Sequence, residues 1–138
     1  MHPELKDVSG HMKEVGLGVL SQAQQNNFYN CMGSTRLQTS IFAVLQAAHA
    51  AELLIKACIA EQHPLLIFSN IPKSGSGNGE LLDIQSLMKS GRTIDYVDLP
   101  ERLWATTGYQ ILELEIYKSF GKLRNTIQHF AVPNIDLA

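Results

Sequence analysis

The stretch LELEIYKSFGKLRNTIQHF, residues 112–130, carries the most regular pattern in the chain. Its apolar residues fall at Leu112, Ile116, Phe120, Leu123, Ile127 and Phe130, in steps of four, four, three, four and three. That spacing returns side chains to one face of a 3.6-residue turn and does not fit the two-residue period of a strand. An amphipathic helix is expected, with this stripe as its core face, ending near Phe130 because Pro133 follows. Upstream, Leu99-Pro100-Glu101-Arg102-Leu103 places a proline where a first helical turn accepts one. Helix is therefore expected from there onward, with a break at Thr106-Thr107-Gly108.

A second stripe lies earlier, at Leu37, Ile41, Val44/Leu45, Ala48, Ala51, Ile55 and Cys58/Ile59. Ser34 or Thr35 can cap this helix, and Pro64 should stop it near His63. The two longest helices are thus expected near 35–63 and 109–130. From His11 to Met32 the pattern is weaker: Val15, Val19 and Leu20 form a stripe interrupted by Gly16, Gly18 and a polar run from Gln24 to Asn27. The first ten residues are polar and expected to be loose. Residues 64–92 read as a loop-rich insertion, not a separate domain. It holds the short apolar run Leu65-Leu66-Ile67-Phe68, a flexible surface loop over Pro72–Gly79, and a short helix from Glu80 to about Met88. The loop glycines lack the spacing of a phosphate-cradling GxxxxGK[ST] and follow no convincing strand. No alternating strand pattern is present. The expectation is one domain over residues 1–138: an all-α, antiparallel helical bundle of roughly four to five helices.

Composition narrows the function. The chain has 138 residues, 45% of them hydrophobic, and a net charge of -2 with histidine neutral. A global basic field for unspecific nucleic-acid binding is excluded, so any such site must be a local patch. Cys31 and Cys58 form no CxxC pair and join no cluster with zinc spacing. Cys58 reads as a small core residue and Cys31 as a partly buried thiol; two cysteines make no disulfide framework, which points to a reducing cytoplasm. No run approaches the roughly 20 apolar residues of a membrane span, and the N-terminus lacks the apolar segment of a signal peptide. A soluble cytoplasmic protein with no membrane association is expected.

The side of the last helix away from its stripe reads Tyr117, Lys118, Gly121, Lys122, Arg124, Asn125, Gln128 and His129. Asn125 and His129 are four apart and share one surface. Arg124 and His129 are five apart, about 140° around the helix, but an arginine is long enough to curl toward the same cleft. Histidine exchanges protons near neutral pH, and arginine is a fixed planar cation suited to phosphate oxygens. Together they suit phosphate-ester chemistry without a metal. Glu113 and Glu115 lie two or more turns away, so no carboxylate cluster here would hold magnesium, and no cofactor is expected. The bland alternative is that such a face is merely solvated.

Two strings tip that balance. Leu123-Arg124-Asn125-Thr126-Ile127-Gln128-His129-Phe130 resembles the signature of the HEPN superfamily: arginine, usually a polar residue, then histidine after four to six positions near the end of the final helix. His49-Ala50-Ala51-Glu52-Leu53-Leu54-Ile55-Lys56-Ala57 is similar to the H-x-x-E-L-L-x-K-A stretch common in HEPN helices. The resemblance implies an all-helical, generally dimeric domain. Many members are metal-independent endoribonucleases, some act as toxins or in phage defence, and others bind nucleotides or serve as inactive partners. It places Arg124, Asn125 and His129 at the catalytic positions. Lys118, Lys122 and Gln128, with Glu52 from the earlier helix, are carried as substrate-binding candidates. Family toxins silenced by a partner nucleotidyltransferase often show His-x-Tyr here; this chain has Phe130 and Ala131 after His129, so tyrosine modification is not implied.

Four further expectations can be checked. Glu52 and Lys56 should pair at i, i+4. His49, one position past Ala48, should be half-buried, and Trp104 should anchor a core or an interface. Gly121, lacking a side chain, should admit a helix of a second copy, with the two Arg124–His129 segments facing across a two-fold axis. The rival to the ribonuclease is a non-catalytic helical dimerisation or adaptor module binding RNA, a nucleotide, an antitoxin or another protein. There Arg124 and Asn125 would knit the dimer and His129 would cap the helix end.

Overall fold

The structure is a computed structural model that describes residues 1–31, 36–72 and 82–130. Ser34, Thr35 and the loop from Lys73 to Gly79 lie outside the described residues, as do the side chains of Leu37 and Cys31. The fold is all-α and is organised around one helix. Helix α1 spans Val8–Cys31, α2 Arg36–Gln62, α3 Ile84–Ser90, α4 Leu99–Thr107 and α5 Leu114–Phe130. α1, α4 and α5 all pack on α2.

α1 begins earlier and runs longer than its stripe indicates. A 3-10 turn over Pro3–Asp7 leads into it and buries Leu5, so the first ten residues are ordered rather than loose. Gly16, which seemed to weaken the helix, is what lets it pack closely. A Cβ there would lie 2.9 Å from Cδ2 of Leu54. Ser9 donates to the Ala57 carbonyl at 2.9 Å, and Asn26 donates to Gln46 at 2.6 Å. Residue numbers rise on one helix as they fall on the other, so α1 and α2 form an antiparallel hairpin.

α2 follows its sequence pattern: Val44, Ala48 and Ile59 are buried and Ile55 partly so. It ends at Gln62, where Pro64 demands an extended predecessor. His63 then caps a 3-10 turn over Pro64–Ile67 by accepting from the Leu65 N–H at 3.2 Å. Cys58 is exposed, not core, because α2 turns that edge outward. Ser40–Gln62 is also long and apolar enough, by length and composition alone, to cross a bilayer, with mean hydropathy 1.5. That corrects the expectation that no segment comes close. Of that apolar window 28% is buried in the fold, where α1, α4 and α5 pack on it.

Two strands appear that no alternation announced. β1 (Phe68–Asn70) pairs antiparallel with β2 (Arg92–Thr93), Phe68 opposite Thr93. Segments of three and two residues are too short to display a period. Between them lies α3, capped by Asp83, which accepts from the Ser86 N–H at 2.7 Å. Glu80 lies outside the described residues. The core under this insertion joins Ile59, Ala60, Ile67, Ile94, Leu99 and Leu103.

The break near Gly108 is complete. Gly108 has φ +79, a left-handed conformation that costs a residue with a Cβ, and its N–H closes α4 on the Trp104 carbonyl at 2.8 Å. Trp104 is exposed, not a core anchor. α5 therefore starts at Leu114 rather than near Tyr109, and is shorter than α1. Its orientation also departs from its stripe. Leu112 is 96% and Ile116 54% exposed, whereas Tyr117 is 6% exposed and Gly121 is buried. Phe120 and Leu123 are half-buried and Ile127 is buried. The helix presents an edge of its polar side to α2, and the apolar stripe straddles the boundary with solvent.

Candidate functional site

Three segments build the site. α2 supplies Glu52 and Lys56, one turn apart; β2 and the segment after it supply Thr93 and Tyr96; α5 supplies Tyr117, Gly121 and Arg124. Lys56 is buried and donates to Glu52 at 2.8 Å, as the i, i+4 spacing predicts, and also to the Thr93 hydroxyl at 3.2 Å. The second oxygen of Glu52 accepts from an Arg124 terminal nitrogen at 2.9 Å. One carboxylate thus faces two cations. Burial of Glu52 opposes its charge, but the hydrogen bond and charge of Lys56, joined by those of Arg124, overcome this and hold the carboxyl below the ordinary range.

Tyr96 and Tyr117 stack with ring centroids 4.0 Å apart and planes 2° from parallel. Each hydroxyl donates to the other residue's backbone carbonyl, Tyr96 to Tyr117 at 2.8 Å and Tyr117 back to Tyr96. Burial pushes the Tyr96 phenol up to about 12, with Arg124 opposing and Glu52 adding to the rise. Burial, then Tyr96 and Glu52, raise Tyr117 further. The Arg124 guanidinium lies 4.6 Å from the centre of the Tyr96 ring, within cation–π range. Only 18% of the Arg124 side chain is exposed, and its Nε is buried with no hydrogen-bond partner among the described residues.

Gly121 is where the ring of Tyr96 rests. A Cβ at Gly121 would come within 2.5 Å of Cε1 of that ring. The missing side chain therefore accommodates a residue of the same chain, not a helix of a second copy, and the expectation that it marks a dimer contact is corrected.

Beside this assembly opens a groove of about 430 Å³ lined by Asp95, Tyr96, Val97, Tyr117, Lys118, Gly121, Lys122, Arg124 and Asn125. Of the candidates read from sequence, the groove gathers Lys118, Lys122, Arg124 and Asn125. Lys118 leans toward Glu115 at 3.7 Å and Asp95 pairs with Arg92 at 3.2 Å, so Lys122 and Asn125 are the exposed groups facing the groove without such a partner among the described residues. Gln128 and His129 are exposed on the last turn of α5 and do not line the groove. Arg124 does not curl toward His129; it reaches across to Glu52. His49 is exposed rather than half-buried. Among the described residues, no group of three or more His, Cys, Asp and Glu is placed to hold a metal ion.

Chemically, the groove offers the Lys122 ammonium and the Asn125 amide to an oxyanion, beside Lys118 and Arg124, each of which already faces a carboxylate, and beside Asp95. The sequence showed Arg124, Glu52 and the lysines but not Tyr96, whose segment Ile94-Asp95-Tyr96-Val97 has no period. The one usable sign was a glycine in mid-helix, which marks close approach without saying of what. No family model matches the chain, and neither a curated protein nor a solved structure matches it.

Proposed function

We propose that the protein is a metal-independent endoribonuclease of HEPN type, working as a homodimer in the cytoplasm, in a toxin or defence role. The observation that carries this reading is the junction of α2 and α5. The two helices bearing the two HEPN-like strings meet through Glu52 and Arg124, at the edge of a groove with Lys118, Lys122 and Asn125. The lysines and Asn125 hold the RNA backbone, and Arg124 steadies the charge that builds on the phosphate. His129, exposed on the last turn of α5 just beyond the groove lining, takes the proton of a ribose 2′-hydroxyl, whose oxygen forms the new bond to phosphorus while the bond to the 5′-oxygen breaks. The partner subunit's His129 protonates that leaving oxygen, since one histidine cannot serve both steps at once. The products are a 2′,3′-cyclic phosphate and a 5′-hydroxyl, and DNA is spared.

The apolar side of α5 is what supports a dimer in this reading. Exposed Leu112, just before the helix, exposed Ile116 and half-buried Phe120 and Leu123 leave apolar surface open to solvent. Glu113 and Glu115 flank its start, Lys118 and Lys122 its middle and His129 its end. Two copies paired antiparallel set acidic ends against basic ones, which a two-fold axis satisfies twice.

A second reading has its own support. Arg124 is mostly buried and committed to Glu52 and Tyr96, as a structural arginine would be. On that reading the chain is a non-catalytic dimerisation or adaptor module for RNA, a nucleotide or a protein partner. Incubation of pure protein with RNA, comparing wild type with Arg124→Ala and Lys122→Ala, separates the two. The ribonuclease loses cleavage in Arg124→Ala and binds RNA more weakly in Lys122→Ala; the adaptor cleaves nothing in any form.

A further inference from the structure

We propose that Tyr96 is the positioning residue for Arg124: its ring fixes the plane in which the guanidinium meets a phosphodiester, a role that rests on reading Arg124 as the phosphate-facing cation. A single carboxylate contact leaves an arginine free to pivot, and Glu52 engages only one terminal nitrogen. The ring face 4.6 Å away removes that freedom.

The ring itself has nowhere to go. Tyr117 backs it at 4.0 Å, the two hydroxyls are tied to each other's backbones, and Gly121 leaves no gap beneath it. Its backbone is held in turn. The Ile94 N–H donates to the Ile67 carbonyl at 2.9 Å, and Thr93 accepts from buried Lys56. The segment between β2 and α4 is thus a strap across α2 and α5, and the same Lys56 that fixes the strap fixes Glu52. Both supports of Arg124 are set by one buried ammonium.

Three variants test this: Tyr96→Leu removes the aromatic face, Tyr96→Phe keeps it, and Gly121→Ala displaces the ring while substituting neither Tyr96 nor Arg124. The Nε–H resonance of Arg124, assigned by its loss in Arg124→Lys, should be shifted upfield by the ring and slow to exchange in wild type and Tyr96→Phe. Tyr96→Leu and Gly121→Ala should lose both properties while keeping the helical circular dichroism of wild type. On RNA, Tyr96→Leu should lower kcat by about 10²-fold, the scale of an ångström-level misplacement, with KM within a few-fold. Tyr96→Phe should recover activity to within about tenfold, since it retains the ring. An unchanged Arg124 resonance in Tyr96→Leu overturns the proposal, as does a lost resonance with kcat intact. If wild type cuts no RNA, the ribonuclease reading falls and the resonance alone decides whether Tyr96 positions Arg124.

Discussion

Glu52 is the residue on which most of the site depends, and its behaviour with pH is predictable. Its pKa is depressed in the fold, so the stability it contributes is present above the unfolded value of about 4.3 and is lost as pH falls through the folded one. Urea midpoints of wild type and Glu52→Gln should differ by a constant amount near neutral pH and converge below about pH 4. A gap that stays constant into acid would contradict the ion pairs drawn here. The tyrosines carry the opposite sign. Tyr96 is raised to about 12 and Tyr117 higher still, so their contribution is complete below the ordinary phenol value of about 10 and is lost as pH rises beyond it. In an alkaline titration followed at the phenolate absorbance, both should stay protonated past about pH 11 until the fold opens, and Tyr96→Phe should remove one late-titrating group. At this scale the sequence revealed what lies within one or two turns. The Glu52–Lys56 pair was legible from spacing. The Glu52–Arg124 contact spans 72 positions and was not legible: the family resemblance carried Glu52 only as a substrate-binding candidate, and Arg124 was expected to curl toward His129. Tyr96 had no local sign because its partners are all tertiary.

Among the elements, α2 was read nearly to its ends because its stripe is continuous and Pro64 stops it. α1 was underestimated: its contact with α2 is made partly by Gly16 and Ala23, small residues that add little to a hydrophobic stripe yet bring backbones close. α5 was found with the wrong roll. Periodicity identifies an apolar face, but the tertiary contact is made by whichever side carries the best-fitting shapes, here Tyr117 and Gly121. The α4–α5 break rests on Gly108, whose left-handed φ makes Gly108→Ala expensive by roughly 1–2 kcal/mol. Thermal or urea denaturation measures this, and a neutral substitution would mean that the turn is not needed to set α5 on α2.

At the level of the whole molecule, the apolar edge of α5 should determine assembly. Ile116→Ser should keep the helical spectrum and shift the dimer toward monomer. Ile116 is already half-covered within one copy, so losing the part an interface would bury costs about 0.8–1.6 kcal/mol per copy, and the apparent Kd should rise by more than tenfold. Light scattering across a dilution series reads this directly, and a wild type that is monomeric at all concentrations would remove the dimer from the account. Function was the least legible property. Composition excluded a global basic field, and what the structure adds is a groove that gathers Lys118, Lys122 and Arg124 beside Asp95.

The claim on which the account turns is that Arg124 and His129 cut RNA, and one measurement reaches it most directly. Pure wild type and His129→Ala are incubated with RNA in EDTA, and the new ends are identified. The account predicts cleavage by wild type that is indifferent to EDTA, leaves 2′,3′-cyclic phosphates, spares a 2′-deoxy linkage, and slows by about 10²- to 10⁴-fold in a folded, dimeric His129→Ala. Intact RNA with wild type, or equal cleavage by His129→Ala, would contradict it.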